Sequence, residues 1–385
     1  MCDTQPETII EQQWDLPGLD PSLIGFSICS GCGLVLQNPA LAPSEMLRYY
    51  SEIATYINPG REGKPTARKV KDVKRMIILV REQLGKMPEN AFQVGCSDGY
   101  TLNAFRQAGI NDVSGLDPSV ASHELAKRLY GIHTIVSGIE DFKPENPDTR
   151  FRLILLTHIL EHLYDPLEAL VKCAQYQDES DYILVEVPLF ERIERFGPGM
   201  LSLEHLNYFS EATMIEALTR ANYEPVFIGK YYYINLYPVI TILARKNSKV
   251  KTQESNDFSR ANTILKAYIQ QERKSWSQIE QKILAKISKG QKAYIYGAGI
   301  HTSQLLAFTN IRTELEITGL LDSSPTKWGK SLGRWQCFNP DSINIHSDDM
   351  IIISSYASEM EIYSYLVKRN MNKNQIICLY NDQEE

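Results

Sequence analysis

The segment AFQVGCSDGYTLNAFRQAG, residues 91–109, constrains the fold more than any other stretch of the chain. An apolar run leads directly into Gly95-Cys96-Ser97-Asp98-Gly99, and a helical pattern follows. A strand that turns at once into a helix needs residues without a Cβ, because the backbone reverses sharply and leaves room for a ligand to approach. A tight connection with no ligand would read the same way, so the turn gains meaning only from its surroundings. Stretches 112–116, 134–136, 151–156 and 182–187 also read as strands, with helix-compatible sequence between several of them. That alternation predicts a parallel, doubly wound α/β sheet.

A second series of short apolar runs begins near Ala293 with AYIYGAG and continues through ITGLLDSS, MIIISSYAS and QIICLY. It predicts a second, smaller α/β domain. The polar stretch 246–257 reads as a linker, and 262–287 carries apolar residues at helical spacing, as one long connecting helix would. The expected division is therefore 1–75, 76–245, 246–290 and 291–385. Residues 1–75 show neither rhythm and are read from motifs alone.

A length of 385 residues suits two or three domains. With 40 basic against 47 acidic side chains and a net charge of -7, the chain lacks a general grip on phosphate backbones, so no nucleic-acid partner is expected. A small anionic ligand remains open. The longest apolar run, 231–244, is too short to span a bilayer and contains a proline, so no membrane partner is expected. The first residues have no basic or apolar leader, which points to the cytoplasm. Seven cysteines with a single close pair suit reduced thiols and one metal site better than a disulfide framework.

Asp117, at the end of the second strand of the series, can accept hydrogen bonds from both hydroxyls of a ribose. Glu140 and Asp141, after the third, could meet an adenine. A lone acid at a strand end is usually a solvated turn residue; here three sites follow in order. Together they resemble the class I S-adenosylmethionine-dependent methyltransferases, with Gly95, Cys96, Ser97, Asp98 and Gly99 as the glycine motif and Asp117 as the ribose acid. Gln93 stands where that family often has an acid. The resemblance extends to THILEHLYDP, residues 157–166, and implies that His158 lies beside the sulfonium. Read alone, His158 and His162 are four apart and suggest a metal pair; the resemblance instead makes Glu161 and His162 packing and hydrogen-bonding groups.

A narrower resemblance covers almost the whole chain. Sugar C-methyltransferases of natural-product biosynthesis combine a zinc-binding N-terminal domain, a methyltransferase domain and a C-terminal Rossmann-like domain that takes part in substrate binding. CSGCGLVLQNP, residues 29–39, is similar to the second half of their zinc motif. This implies a structural zinc on Cys29 and Cys32, with Cys2 the remaining upstream cysteine. The alternative is a knuckle-shaped turn in which both are small buried residues without metal. In LEHLNYFS, residues 203–210, the resemblance places Glu204 and His205 at the reacting carbon, with Ser202 where the family has a tyrosine. His205 would then be the general base and Glu204 its support. The alternative for His205 is a buried hydrogen-bonding histidine. Tyr208 lines the pocket or the core.

In the last domain YGAGIHT, residues 296–302, reads alone as a weak dinucleotide motif. It resembles the YGA motif of the sugar C-methyltransferases, which implies that Tyr296 and His301, together with Tyr356, face the substrate. Asp322 mimics a ribose-binding acid. The expected function is S-adenosylmethionine-dependent C-methylation of a small molecule, a nucleotide-linked keto sugar. The rivals are an O-methyltransferase of a sugar or natural-product metabolite, an NAD-dependent oxidoreductase using the YGAG segment, and a non-catalytic binding protein.

Overall fold

The computed structural model describes residues 4–52, 64–191, 199–232, 237–356 and 358–381. In chain order the N-terminal part forms β1 (Pro6–Trp14), β2 (Ser22–Cys29), β3 (Val35–Gln37), α1 (Pro43–Glu52) and α2 (Ala67–Leu84). The middle contributes β4 (Asn90–Val94), α3 (Tyr100–Gln107), β5 (Asp112–Asp117), α4 (Val120–Tyr130), β6 (Thr134–Val136), β7 (Leu153–Thr157), α5 (Pro166–Gln175) and β8 (Tyr182–Pro188). It continues with β9 (Asn207–Tyr208), α6 (Glu211–Arg220), β10 (Tyr223–Tyr231) and β11 (Val239–Lys246). The long helix α7 (Phe258–Leu284) leads to β12 (Lys292–Tyr296), α8 (Ile300–Phe308), α9 (Ile311–Glu314), β13 (Glu316–Leu321), β14 (Ser331–Leu332), β15 (Trp335–Phe338), β16 (Met350–Ile353), α10 (Glu359–Lys368) and β17 (Ile376–Cys378).

The central sheet has the order β10-β11-β8-β7-β4-β5-β6. Its strands β4 to β8 are parallel, as the alternating rhythm predicts. Strands covered on both faces read as continuous apolar runs, and every residue of β7 is buried. The expectation of a wholly parallel sheet is corrected at one edge: β11 runs antiparallel to both β8 and β10, so the sheet is mixed. A two-stranded return needs only a short loop, whereas a parallel neighbour needs a crossover helix. The chain order reverses between β4 and β7, which is where an open α/β sheet leaves a crevice at its strand ends.

Helix boundaries follow local chemistry. Thr66 caps α2 by accepting from the Lys69 amide, and Gly85 ends it at φ +72. Asp165 caps α5 ahead of Pro166, whose missing N–H costs nothing in a first turn. α2 spans the expected boundary at residue 75.

The N-terminal sheet has the order β1-β2-β3-β9, so its last strand comes from residues 207 and 208, beyond the central parallel strands. Its core joins Trp14, Phe26, Val35 and Tyr49 to Leu203, Leu206 and Tyr208, and to Leu265 and Tyr268 of α7. The C-terminal sheet, β14-β15-β13-β12-β16-β17, packs Ile295, Leu320 and Ile352 against Trp276, Ile279 and Ile283 of the same helix. α7 therefore belongs to two cores rather than acting as a bare connector. Among the described residues, no helix is long and apolar enough to cross a membrane.

Candidate active site

The glycine turn lies at the end of β4. Gly95 has φ +67, and a Cβ there would stand 2.0 Å from Cδ1 of Ile159. Gly99 has φ +79 and would meet Ala126 at 2.9 Å. Both conformations are ones that side chains other than glycine resist. Asp117 holds the turn: Oδ2 accepts from the Ser97 amide at 2.9 Å and Oδ1 from the Ser119 amide at 3.0 Å. The Asp98 carboxylate accepts from the Tyr100 amide at 3.1 Å. The Cys96 thiol turns into a small core with Leu102 and Ile132, and burial pushes it up to about 12, leaving only its backbone toward the turn. Glu140 and Asp141 stand exposed after β6. Only Gly95 and Gly99 of this turn lack a Cβ, and Asp117 at the next strand end stands beside it.

Beside this turn lies a buried ionic network that the sequence reading missed. Glu186, within the apolar β8, takes Arg75 Nη2 at 2.5 Å and the Thr241 hydroxyl. The Arg75 guanidinium also lies 3.9 Å from the centre of the Tyr231 ring. His158, at φ 57, donates its amide to the Glu186 carbonyl at 2.8 Å. Its ring stands 3.2 Å from Glu161 Oε1 and 3.6 Å from Glu186 Oε1. Burial opposes the His158 cation, but these two carboxylates raise its pKa well above the usual range. Both carboxylates are held below theirs against their own burial, His158 being the main cause in each. An acid inside a strand as apolar as YILVEVP was the signal that could have exposed the network.

Glu204 and His205 are brought to the same place. The Leu206 amide donates to the Glu161 carbonyl at 2.7 Å, and His162 Nδ1 lies 2.8 Å from the Glu204 carbonyl. The His162 and His205 rings are 5.0 Å apart, edge to face. Burial first, then the neighbouring His162, pushes His205 down to about 3, so its ring is neutral at pH 7. The expected pairing with Glu204 is corrected: that carboxylate accepts from the Tyr49 hydroxyl of α1 at 2.7 Å. Sequence neighbours diverge here because β9, just after them, must join β3. The carboxylate whose charge favours a His205 cation is Glu161.

Several elements grip the loop that carries this pair. Gln37 of β3 donates to the carbonyls of Ser202, Leu203 and His205 at 2.5, 3.0 and 3.0 Å. Gln304 of α8 donates to those of Gly199 and Leu201 at 3.1 and 3.0 Å. Glu272 and Tyr268 of α7 accept the amides of Gly199 and Met200 at 2.6 and 2.9 Å. The Tyr208 hydroxyl is buried in this set, accepting from the Ser202 amide at 3.0 Å.

The C-terminal candidates sit differently. Tyr296 is buried and Tyr356 half exposed. Both ring nitrogens of His301 have partners inside the domain, Nδ1 with the Ser354 hydroxyl at 2.8 Å and Nε2 with that of Tyr380. Burial pushes His301 down to about 4. The Asp322 carboxylate is engaged by Lys327 Nζ and the Ala298 amide, each at 2.9 Å.

Cys2 lies outside the described residues. Cys29 and Cys32 are buried in a turn closed by the Gly33 amide on the Cys29 carbonyl at 2.9 Å. Burial raises the Cys29 thiol, but hydrogen bonds from Thr4 and from the Cys32 and Gly31 amides outweigh it and bring it to about 7. Two thiols fall short of the four ligands of a structural zinc, and among the described residues no third ligand converges on them. The group that does converge is Glu161, His162 and His205.

Residues 70–227 match the family model described as a methyltransferase domain. Residues 289–377 match one described as C2185-like, N-terminal. No curated protein matches the chain. Among solved structures it is similar to a 1,6-didemethyltoxoflavin-N1-methyltransferase from Burkholderia thailandensis with S-adenosylhomocysteine, at 16% identity and TM-score 0.43, over 58% of this chain and 96% of that one. It is also similar to the N-methyltransferase NodS of Bradyrhizobium japonicum WM9, at 14% identity and TM-score 0.41, over 53% and 97%. A third is the magnesium protoporphyrin IX methyltransferase of Synechocystis PCC 6803, at 16% identity and TM-score 0.41, over 55% and 100%. The family match falls on the glycine turn and its acid, so residues 70–227 carry a methyltransferase domain.

Proposed function

We propose that this enzyme methylates a carbon beside the ketone of a nucleotide-linked sugar, with His205 taking the proton that the methyl replaces. The supporting observation is a neutral, half-buried imidazole beside Glu161, at the strand ends next to the glycine turn. S-adenosylmethionine, when bound, supplies the methyl group already activated on sulfur. Gly95, Cys96, Ser97, Asp98 and Gly99 would hold it through their backbone, with Asp117 at the ribose, Glu140 and Asp141 at the adenine, and His158 at the sulfonium end. The acceptor lies against His205, with Tyr208 behind it, and Tyr356 and His301 face the sugar-nucleotide from the C-terminal domain, where Tyr296 is packed in the core. A proton on His205 would be stabilised by the Glu161 carboxylate. Glu204 shapes the same wall through Tyr49.

O-methylation is the second reading, favoured by Ser202, which offers no phenol to hold an enolate. The NAD reading is disfavoured by Asp322, whose carboxylate is already committed to Lys327. A structural zinc on Cys29 and Cys32 would need ligands from outside the described residues, Cys2 among them.

The test uses methyl-labelled S-adenosylmethionine with a panel of nucleotide-linked 4-keto sugars, read by mass spectrometry and NMR. A methyl on carbon supports the proposal; a methyl on oxygen selects the second reading. His205→Ala should lower turnover by about 10²-fold or more at unchanged cofactor affinity, as loss of a positioned base does. Full turnover in that variant would remove His205 from the chemistry.

A further inference from the structure

Glu161 and His162 are neighbours in sequence and His205 lies far along the chain, yet one ligand atom from each lies within 4.8 Å of the others. The Glu161 side chain is 1% exposed. His158 occupies its Oε1, while Oε2 is buried with no hydrogen-bond partner. Nδ1 of His205 is likewise buried and unpartnered. His162 Nδ1 faces the Glu204 carbonyl at 2.8 Å, and a carbonyl only accepts, so Nδ1 carries the proton. In that tautomer the lone pair is at Nε2, which lies 3.9 Å from Glu161 Oε1. A histidine whose far nitrogen is pinned by a carbonyl is held as metal-bound histidines are held.

We propose that Glu161, His162 and His205 bind one divalent transition-metal ion of the Mn2+ or Zn2+ type. Two imidazoles and a carboxylate suit such an ion and leave coordination positions open. At the centre of a triangle with 4.8 Å sides an ion would stand about 2.8 Å from each atom, so inward movements of roughly 0.7 Å reach ordinary bond lengths. Two cations of the adjoining network are matched by carboxylates: Arg75 by Glu186, and His158 by Glu186 and Glu161. In one respect the inference rests on the proposed function. If His205 is the base, the ion and the acceptor's proton compete for the same ring, and the ion inhibits.

The test adds Mn2+ to the chelator-treated full chain and follows loss of the free-ion paramagnetic resonance signal. Thiolates hold Mn2+ poorly, so the cysteines do not interfere. One ion per chain is expected, with affinity at least tenfold weaker in Glu161→Gln and in His162→Gln, each checked for a native circular dichroism spectrum. No binding at millimolar Mn2+, or unchanged binding in a folded variant, overturns the site. Binding with inhibition of methyl transfer supports both site and base. Binding with stimulation keeps the site and overturns the base, while absent binding with a dead His205→Ala enzyme does the reverse.

Discussion

Glu272 is 3% exposed on α7, where it accepts the Gly199 amide at 2.6 Å and the Tyr268 hydroxyl at 3.3 Å. Burial raises its carboxyl from 4.5 to about 7, and those hydrogen bonds offset only part of the rise. At about 1.4 kcal/mol per pKa unit the shift is worth about 3 kcal/mol. Between pH 4.5 and 7 the unfolded chain has released this proton while the folded chain keeps it. The unfolded state therefore binds fewer protons, and stability falls as pH rises through that window, levelling off above it. Glu272→Gln stays neutral, preserves an acceptor oxygen and removes the fall. Urea denaturation of both proteins at pH 5 and pH 8 should show the variant gaining about 2 to 3 kcal/mol relative to the native chain. Parallel pH dependence in the two proteins would refute the reasoning.

Two further substitutions probe the site. Gly95→Ala places a Cβ 2.0 Å from Ile159 at φ +67; Ile159 can turn away, but the left-handed backbone costs about 1–2 kcal/mol. Calorimetry should show cofactor affinity about tenfold weaker or worse, the equivalent of 1.4 kcal/mol, and unchanged affinity would move the cofactor away from this turn. Tyr49→Phe removes the 2.7 Å donor to Glu204. It should lower turnover in the labelled-methyl assay while cofactor affinity holds, and native turnover would show that the contact is dispensable.

The parallel strands were legible because strands covered on both faces leave uninterrupted apolar runs, and β7 is wholly buried. The direction of β11 was not, since an antiparallel and a parallel buried strand have the same period. β1 gave no signal because half-exposed residues run through PETIIEQQW up to its last position. The turn at Gly95 and Gly99 could be read from its place between a strand and a helix, and Asp117 from its place at the end of the next strand. Glu161 could not, because its role depends on His205, which reaches it only when β9 pairs with β3. Tyr49 was hidden for the same reason, lying on a helix with no motif of its own.

The pairing of β9 with β3 bears on how new specificities can arise or be engineered. A chimera cut at residues 76 and 245 would import the Glu204–His205 loop without Gln37, Tyr49, Glu272 or Gln304 to seat it. Recombination of the central domain alone is then expected to give chains that bind cofactor but turn over no acceptor. Chimeras that exchange β1 to β9 together with α7 and α8 keep the loop and its supports from one parent. The loop and its supports would then pass between parents as one block from β1 to α8.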